Sequence, residues 1–440
     1  MFEIQGKYAK AKVMIDGVEE SCVSQIHSFI NHIAFTNPVA IMPDTHAGTG
    51  SVIGFTMEMT NKIIPNVIGV DIGCGLKSCN IGKQLDISLE LLDHKIRQRI
   101  PFGQEIHDSA VLHMKKDFPW HKVNVLAQQF FLAYEEKFGI KQELKTFDMN
   151  WFTEKCETIG GNLRRFINSL GTLGGGNHFC ETGLSTEGNV WITIHSGSRN
   201  FGKKICEYWQ NKAIKKQSHE DKNDIKKKIE ELRSKYSGDD LYHKIQEEKS
   251  KKSSSFKCSE ELLWLEGEDA VGYLFDMIFC QIYAEVNRQH MMDIIIDILK
   301  IKPIETIETV HNFIDFHDFI IRKGAIRSYI GEKMIIPFNM RDGILICEGK
   351  SNPEWNYSAP HGSGRILSRG QAKRQLDVAS FKEQMKDIYT TSVGQGTLDE
   401  APDAYKDSKI IEESIQPTAT IIDRIKPIHN MKCSEDERKR

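Results

Sequence analysis

Up to about residue 200 the chain alternates short β-rich runs, such as SVIGFTMEM and NVWITIHS, with connections dense in glycine; one stretch, about residues 86 to 98, reads as a helix. This alternation dictates a mixed core of the α+β class. From Lys203 to about Glu260 the text turns Lys/Glu-rich and poor in glycine, with breaks at Ser237-Gly238 and at KSKKSSSF. It reads as solvated helices plus a mobile loop inserted into the core, residues 203–260. Residues 261 to 300 then place Leu262, Leu263, Leu265, Val271, Leu274, Phe275, Ile278 and Ile282 largely three and four apart, the spacing of a buried helix face. β-like text resumes to residue 370, and a tail containing PTATIIDRIKPIHNMK closes on the charged residues 433–440.

At 440 residues the length allows one large core with insertions or two domains. No run approaches the apolar length of a membrane span, and the first residues lack the basic and apolar segments of a secretory signal. Ten cysteines stand singly, Cys74 and Cys79 being the nearest pair, with no CxxC. That pattern argues against a zinc ribbon or disulfide scaffold and suits a reducing, cytoplasmic setting. A formal net charge of −3 offers no global attraction to nucleic acid, so RNA would need a local basic patch.

Five segments join glycine to side chains able to hold metal or phosphate: MPDTHAG, VDIGCG, LGGGNHFCE, IHSGSRNFG and SAPHGSGR. In VDIGCG, glycines let a tight turn aim Asp71 and Cys74 at one point, although a structural cysteine beside a turn aspartate fits the same letters. In LGGGNHFCE, His178 projects from a glycine loop next to Asn177, and Glu181 could read donor groups on a base. With His195 and His311 these give five ligands, enough for two ions if a thiolate bridges them. Imidazole plus thiolate favours zinc by softness, so sequence chemistry does not choose the metal.

SAPHGSGRILSRG sets His361 between a proline and glycines, with Arg365 and Arg369 four residues apart. A neutral imidazole can attack phosphorus and guanidinium groups can neutralise phosphate oxygens. A loop in which His361 only donates a hydrogen bond, and an arginine pair on a solvated helix face, fit as well. GSRNFGKK imitates a phosphate-binding P-loop but ends on Lys204 where Ser or Thr should hold Mg²⁺. MRDG has Met340 where a KxDG ligase carries its lysine nucleophile.

In this order, together with EGEDAVGYLFDM, AEVNRQ, RKGAIRS, IPFNMRDG and SNPEWNYSAPHGSGR, the segments resemble the RtcB family of RNA-splicing and RNA-repair ligases from about Ile41 to Lys432. The resemblance implies one RtcB-like catalytic domain over residues 1–440. It implies two Mn²⁺ ions bridged by Cys74, with Asp71 and His178 completing one site and His195 and His311 the other. His361 would take GMP from GTP, and Asn177, Glu181, Asn312, Gly362, Ser363, Gly364, Tyr405 and Lys432 would contact the guanylate. Arg199, Arg365 and Arg369 would hold RNA or phosphate. The implied activity joins an RNA 3′-phosphate or 2′,3′-cyclic phosphate to a 5′-hydroxyl, in RNA repair or tRNA splicing. One departure is that Lys432 is followed by Cys433 and SEDERKR, where the family commonly ends with lysine and glycine. The competing readings are a metal-dependent RNA-end phosphodiesterase or cyclic phosphatase, and a GTP- or RNA-binding module without turnover.

Overall fold

The computed structural model describes residues 1–254 and 259–433. The expected α+β composition holds: helices pack against two large sheets. The first sheet has six strands, in the order Phe2–Gln5, Lys10–Val13, Val39–Ile41, Phe55–Glu58, Ile320–Lys323 and Asn312–Ile314. The second has seven, in the order Lys333–Pro337, Ile344–Gly349, Ala419–Met431, Phe179–Leu184, Val190–Ser196, Gly75–Asn80 and Glu305–Val310, all antiparallel. Its two edge strands lean together, with Ile335 N donating to Thr309 Oγ1 at 3.1 Å, so the sheet curls around Leu76, Phe179, Trp191, Ile307, Ile335 and Ile425. Curling shields the edges from pairing with other chains.

The segment PTATIIDRIKPIHNMK, read above as a tail, supplies the Ala419–Met431 strand inside this sheet. Pro427 masks it in the sequence, because proline cannot donate a ladder hydrogen bond and belongs at edges or bulges. Here the register shifts between Pro427 and His429, so the proline sits at a bulge.

The apolar stripe expected over 261 to 300 splits. Gly267, with φ +58°, starts the helix Glu268–Leu299, while Leu262 lies in a short 3-10 turn and Leu265 bridges to Ile63. That helix is buried on most of its circumference over Ala270–Asn287, as a helix enclosed by other elements must be. The solvated insertion also begins later than expected. In the helix Arg199–Lys235, Phe201, Ile205, Cys206, Trp209 and Ala213 are buried, an i, i+4 stripe hidden among lysines, and the residues from Lys227 to the helix end are mostly exposed. The break at Ser237-Gly238 separates it from the helix Gly238–Ser254, and the end of KSKKSSSF and the tail beyond Cys433 lie outside the described residues. Among the described residues no helix is long and apolar enough to cross a membrane.

A chain ending at Thr418 would leave Ile344–Gly349 and Phe179–Leu184 as bare strands facing an empty slot. Circular dichroism on heating should then show no cooperative transition; a wild-type-like melting curve would mean that the last strand is an accessory.

Candidate active site

Strand register brings the expected ligands together. Gly75 pairs with Ser196 on one side and Val310 on the other, and Phe179 pairs with His195. Cys74, His178, His195 and His311 therefore line one end of four neighbouring strands. Asp71 reaches the same point through the turn closed by Cys74 N to Asp71 O at 3.2 Å, in which Gly73 takes φ +73°. Two ligand sets result, Asp71–Cys74–His178 and Cys74–His195–His311, with the ligand atoms of each set within 4.8 Å of one another. Cys74 belongs to both. Its Sγ lies 3.5 Å from His178 Nε2 and 3.4 Å from His195 Nε2.

The ring orientations fit a cation. His178 Nδ1 faces the Leu173 carbonyl at 2.9 Å and His195 Nδ1 faces the Asn177 carbonyl at 3.2 Å. A carbonyl can only accept, so both rings hold hydrogen on Nδ1 and turn Nε2 lone pairs inward. Those lone pairs meet Asp71 Oδ2 at 3.1 Å and His311 Nε2 at 3.0 Å. Acceptors facing acceptors in a buried site call for a shared cation or proton. Burial, reinforced by neighbouring imidazoles, holds His195 and His311 well below the ordinary histidine range, which keeps their lone pairs free. Burial pushes the Asp71 carboxyl up, but when a proton occupies the position shared with His178 Nε2, the hydrogen bond and charge of that ring outweigh burial and leave the carboxyl below its usual value. Burial and the Asp71 carboxylate drive the Cys74 thiol well above its usual value, so a bound cation is the natural agent of its deprotonation.

His361 follows the short strand Ser358–Pro360, which pairs with Ala325–Arg327. Its ring lies 4.7 Å from that of His311, and its Nδ1 is 2.6 Å from Asp44 Oδ2. The same oxygen accepts the His361 main-chain N–H at 3.1 Å, so Nδ1 is the donor and Nε2 keeps its lone pair. Asp44 is fully buried, and Gly364 packs so close that an added Cβ would stand 2.1 Å from the Asp44 carbonyl oxygen.

Beside His361 opens a cavity of about 550 Å³, within the range of small-molecule sites. Its lining includes Asn177, Glu181, Gly362, Ser363, Gly364, Arg365, Arg369, Tyr405 and Lys432. Asn312 and Arg199 lie outside the lining. Asn312 accepts from Gly324 N at 3.0 Å and donates to Asp71 O at 3.3 Å, so it braces the Asp71–Cys74 turn. Arg199 donates to Thr172 Oγ1 and the Gly103 carbonyl, both at 2.9 Å, beside the His178 loop. Arg365 is turned into the wall, toward Leu367 O, Asp399 O and Tyr405 OH, whereas Arg369 is 48% exposed.

A profile of the family described as "tRNA-splicing ligase RtcB" matches residues 25–433. The chain belongs to the RtcB family. It is 28% identical to the RNA-splicing ligase RtcB of Escherichia coli, covering 84% of this chain and 83% of that protein. It is 25% identical to the tRNA-splicing ligase RtcB of Methanococcus maripaludis, covering 92% and 89%. It is 24% identical to RNA-splicing ligase RtcB homolog 1 of Entamoeba histolytica, covering 93% and 83%.

Several residues of this RtcB chain escaped sequence reasoning. Asp44 stood in the quoted MPDTHAG, but nothing in it announced a histidine partner 317 positions away. Glu400 is a fully buried hub, 2.7 Å from Tyr405 OH and 3.0 Å from Lys432 Nζ; against the pull of burial, the charges of Lys432, Arg369 and Arg365, with the Tyr405 hydrogen bond, hold its carboxyl at about 2. Asn430 bonds Glu181 at 2.8 Å. The P-loop imitation is settled by geometry: the helix starts at Arg199, so Gly202 lies inside it and no phosphate loop forms. Gly197 serves another end, since a Cβ there would sit 2.3 Å from both Asp71 carboxylate oxygens. Gly197→Ala should displace Asp71, costing about 1–3 kcal/mol in thermal or denaturant unfolding and lowering metal content in elemental analysis. A variant with full metal content would remove Asp71 from the ligand set.

Proposed function

We propose that the protein is a GTP- and Mn²⁺-dependent RNA ligase, joining a 3′-phosphate or 2′,3′-cyclic phosphate end to a 5′-hydroxyl end with GMP carried on His361. Residues 1–440 act as one catalytic domain, in RNA repair or tRNA splicing in the cytoplasm. The observation that carries this is the Asp44–His361 dyad, set between the two Cys74 ligand sets and a nucleotide-sized cavity. The names of the relatives supply the class of reaction.

With Nδ1–H given to Asp44, the Nε2 lone pair attacks the α-phosphorus of GTP. An N–P bond forms, the P–O bond to the β-phosphate breaks, and pyrophosphate leaves. Asp44 offsets the positive charge that the ring acquires. A cyclic end is first opened by water to the 3′-phosphate. An oxygen of that phosphate displaces the histidine, and the 5′-hydroxyl, losing its proton, then displaces GMP to seal the strand. Two Mn²⁺ ions, held by Asp71, Cys74 and His178 and by Cys74, His195 and His311, would supply Lewis-acid charge for the phosphate oxygens. Softness suits the donor set to zinc as well, so manganese rests on the family resemblance. Arg369, half-exposed and paired with Asp399 at 3.1 Å, would turn to RNA phosphates; Arg199 and Arg365 support the loops behind it.

Guanine fits the inner wall. Glu181 Oε1 and Asn430 Oδ1 are buried acceptors without a partner among the described residues, and the Watson–Crick edge of guanine offers donors. Burial raises the Glu181 carboxyl to about 8, so it is largely protonated at neutral pH in the free protein. Donors on the base favour the carboxylate, so GTP affinity should climb between about pH 6 and 8 and then level off. Glu181→Gln should bind weakly with a flat profile; a wild-type profile in that variant would exclude Glu181 from the base.

The decisive assay is incubation with α-labelled GTP and Mn²⁺. Label should survive denaturation and alkali, be lost in acid, vanish in His361→Ala and fall at least on the order of a hundredfold in Asp44→Asn. A broken RNA stem-loop with the stated ends should then be sealed. Opening of the cyclic end without sealing, on an unlabelled protein, would establish the phosphodiesterase reading instead.

A further inference from the structure

The motif AEVNRQ falls inside the helix Glu268–Leu299 and places two adjacent polar residues, Asn287 and Arg288, in complete burial. Neither lines the cavity, and neither belongs to a ligand set. Arg288 Nη1 donates to the carbonyls of Gly73 and Ser196, both at 2.8 Å. Gly73 immediately precedes Cys74 and Ser196 immediately follows His195. Asn287 Nδ2 donates to Ser196 Oγ at 3.0 Å and to the Gly197 carbonyl at 3.1 Å. Its Oδ1 accepts from Gly171 N at 2.8 Å and Thr172 N at 3.1 Å, just before the Leu173 carbonyl that orients His178. Arg288 Nε reaches Glu308 Oε1 at 2.9 Å, on the strand that delivers His311, and Lys77 holds the same carboxylate through its other oxygen at 2.7 Å.

The ladder between Gly75–Asn80 and Val190–Ser196 ends at the pair Gly75 and Ser196. Cys74 lies beyond that last rung, where no backbone hydrogen bond between these two strands sets its distance from His195. A single guanidinium nitrogen holding one carbonyl on each side extends the ladder by one rung. A lysine could not reproduce the fork that also reaches Glu308.

Resting on the metal-centre reading above, we propose that Asn287 and Arg288 are positioning residues, a buried clamp that sets the spacing of the two ligand sets around Cys74. Groups behind metal ligands govern ligand orientation, and their loss typically weakens metal binding about 10–100-fold.

The test uses the full-length protein loaded with Co²⁺, followed by the thiolate-to-cobalt charge-transfer band and by chelator competition. Arg288→Lys keeps the charge but not the fork, Glu308→Gln loosens its far end, and Ile295→Val, buried in the same helix, is the packing control. Arg288→Lys should shift the band and bind cobalt about 10–100-fold more weakly, and Glu308→Gln about tenfold more weakly. Ile295→Val should lower only the melting temperature. Wild-type affinity and band in folded Arg288→Lys and Glu308→Gln would overturn the clamp, as would an equal loss in Ile295→Val. If Arg288→Lys does not fold, Glu308→Gln decides by the same criterion. Failure of the wild-type protein to show any sulfur-to-cobalt band would instead overturn the metal centre itself, before any variant is read.

Discussion

The sulfur of Cys74 is common to both ligand sets, and most of the architecture around it serves to put that one atom in place. It sits at the start of the Gly75–Asn80 strand, between the strand that carries His195 and the strand that leads to His311. Cys74, with Asp71 on its turn, and the three histidines come from four different strand ends, so the geometry depends on the register of the whole curled sheet. A one-residue slip in any of these strands would turn its ligand to the other face. Burial then does chemical work: it strips protons from the imidazoles and keeps the thiol from ionising without a cation.

His361 belongs to a different layer. It is delivered by a two-stranded sheet, Ala325–Arg327 with Ser358–Pro360, and it meets the candidate ligands at His311, which stands where the chain passes from the seven-stranded to the six-stranded sheet. Asp44, from the loop after Val39–Ile41, fixes the imidazole from behind. Lys406 ties that loop by donating to the carbonyls of Pro43 and Thr45 at 3.0 and 2.7 Å. On the far wall Glu400 gathers Tyr405 and Lys432, so the cavity lies between two anion-centred networks that hold their cations and donors in fixed directions.

How much of this could be read in the letters depended on range. The side chains that cluster around Cys74, the position of His361 beside the cavity and the mixed core were legible because glycine clusters around polar side chains are local patterns. The central position of Ala419–Met431 was not, because Pro427 mimics a breaker until its bulge is seen. Nor was the buried start of the Arg199–Lys235 helix, whose lysines conceal Ile205 and Trp209. Asp44, Glu400 and Arg288 did not stand out, since their meaning lies in partners brought close only by the fold. Arg365, expected from the resemblance to hold RNA or phosphate, is turned into the wall.

The most direct examination of the shared sulfur is an anomalous difference map at the manganese edge from crystals grown with Mn²⁺. Two peaks are expected, each within bonding distance of Cys74 Sγ, one also reaching Asp71 and His178 and the other His195 and His311. A single peak, or peaks that bypass the sulfur, would contradict the two-ion centre.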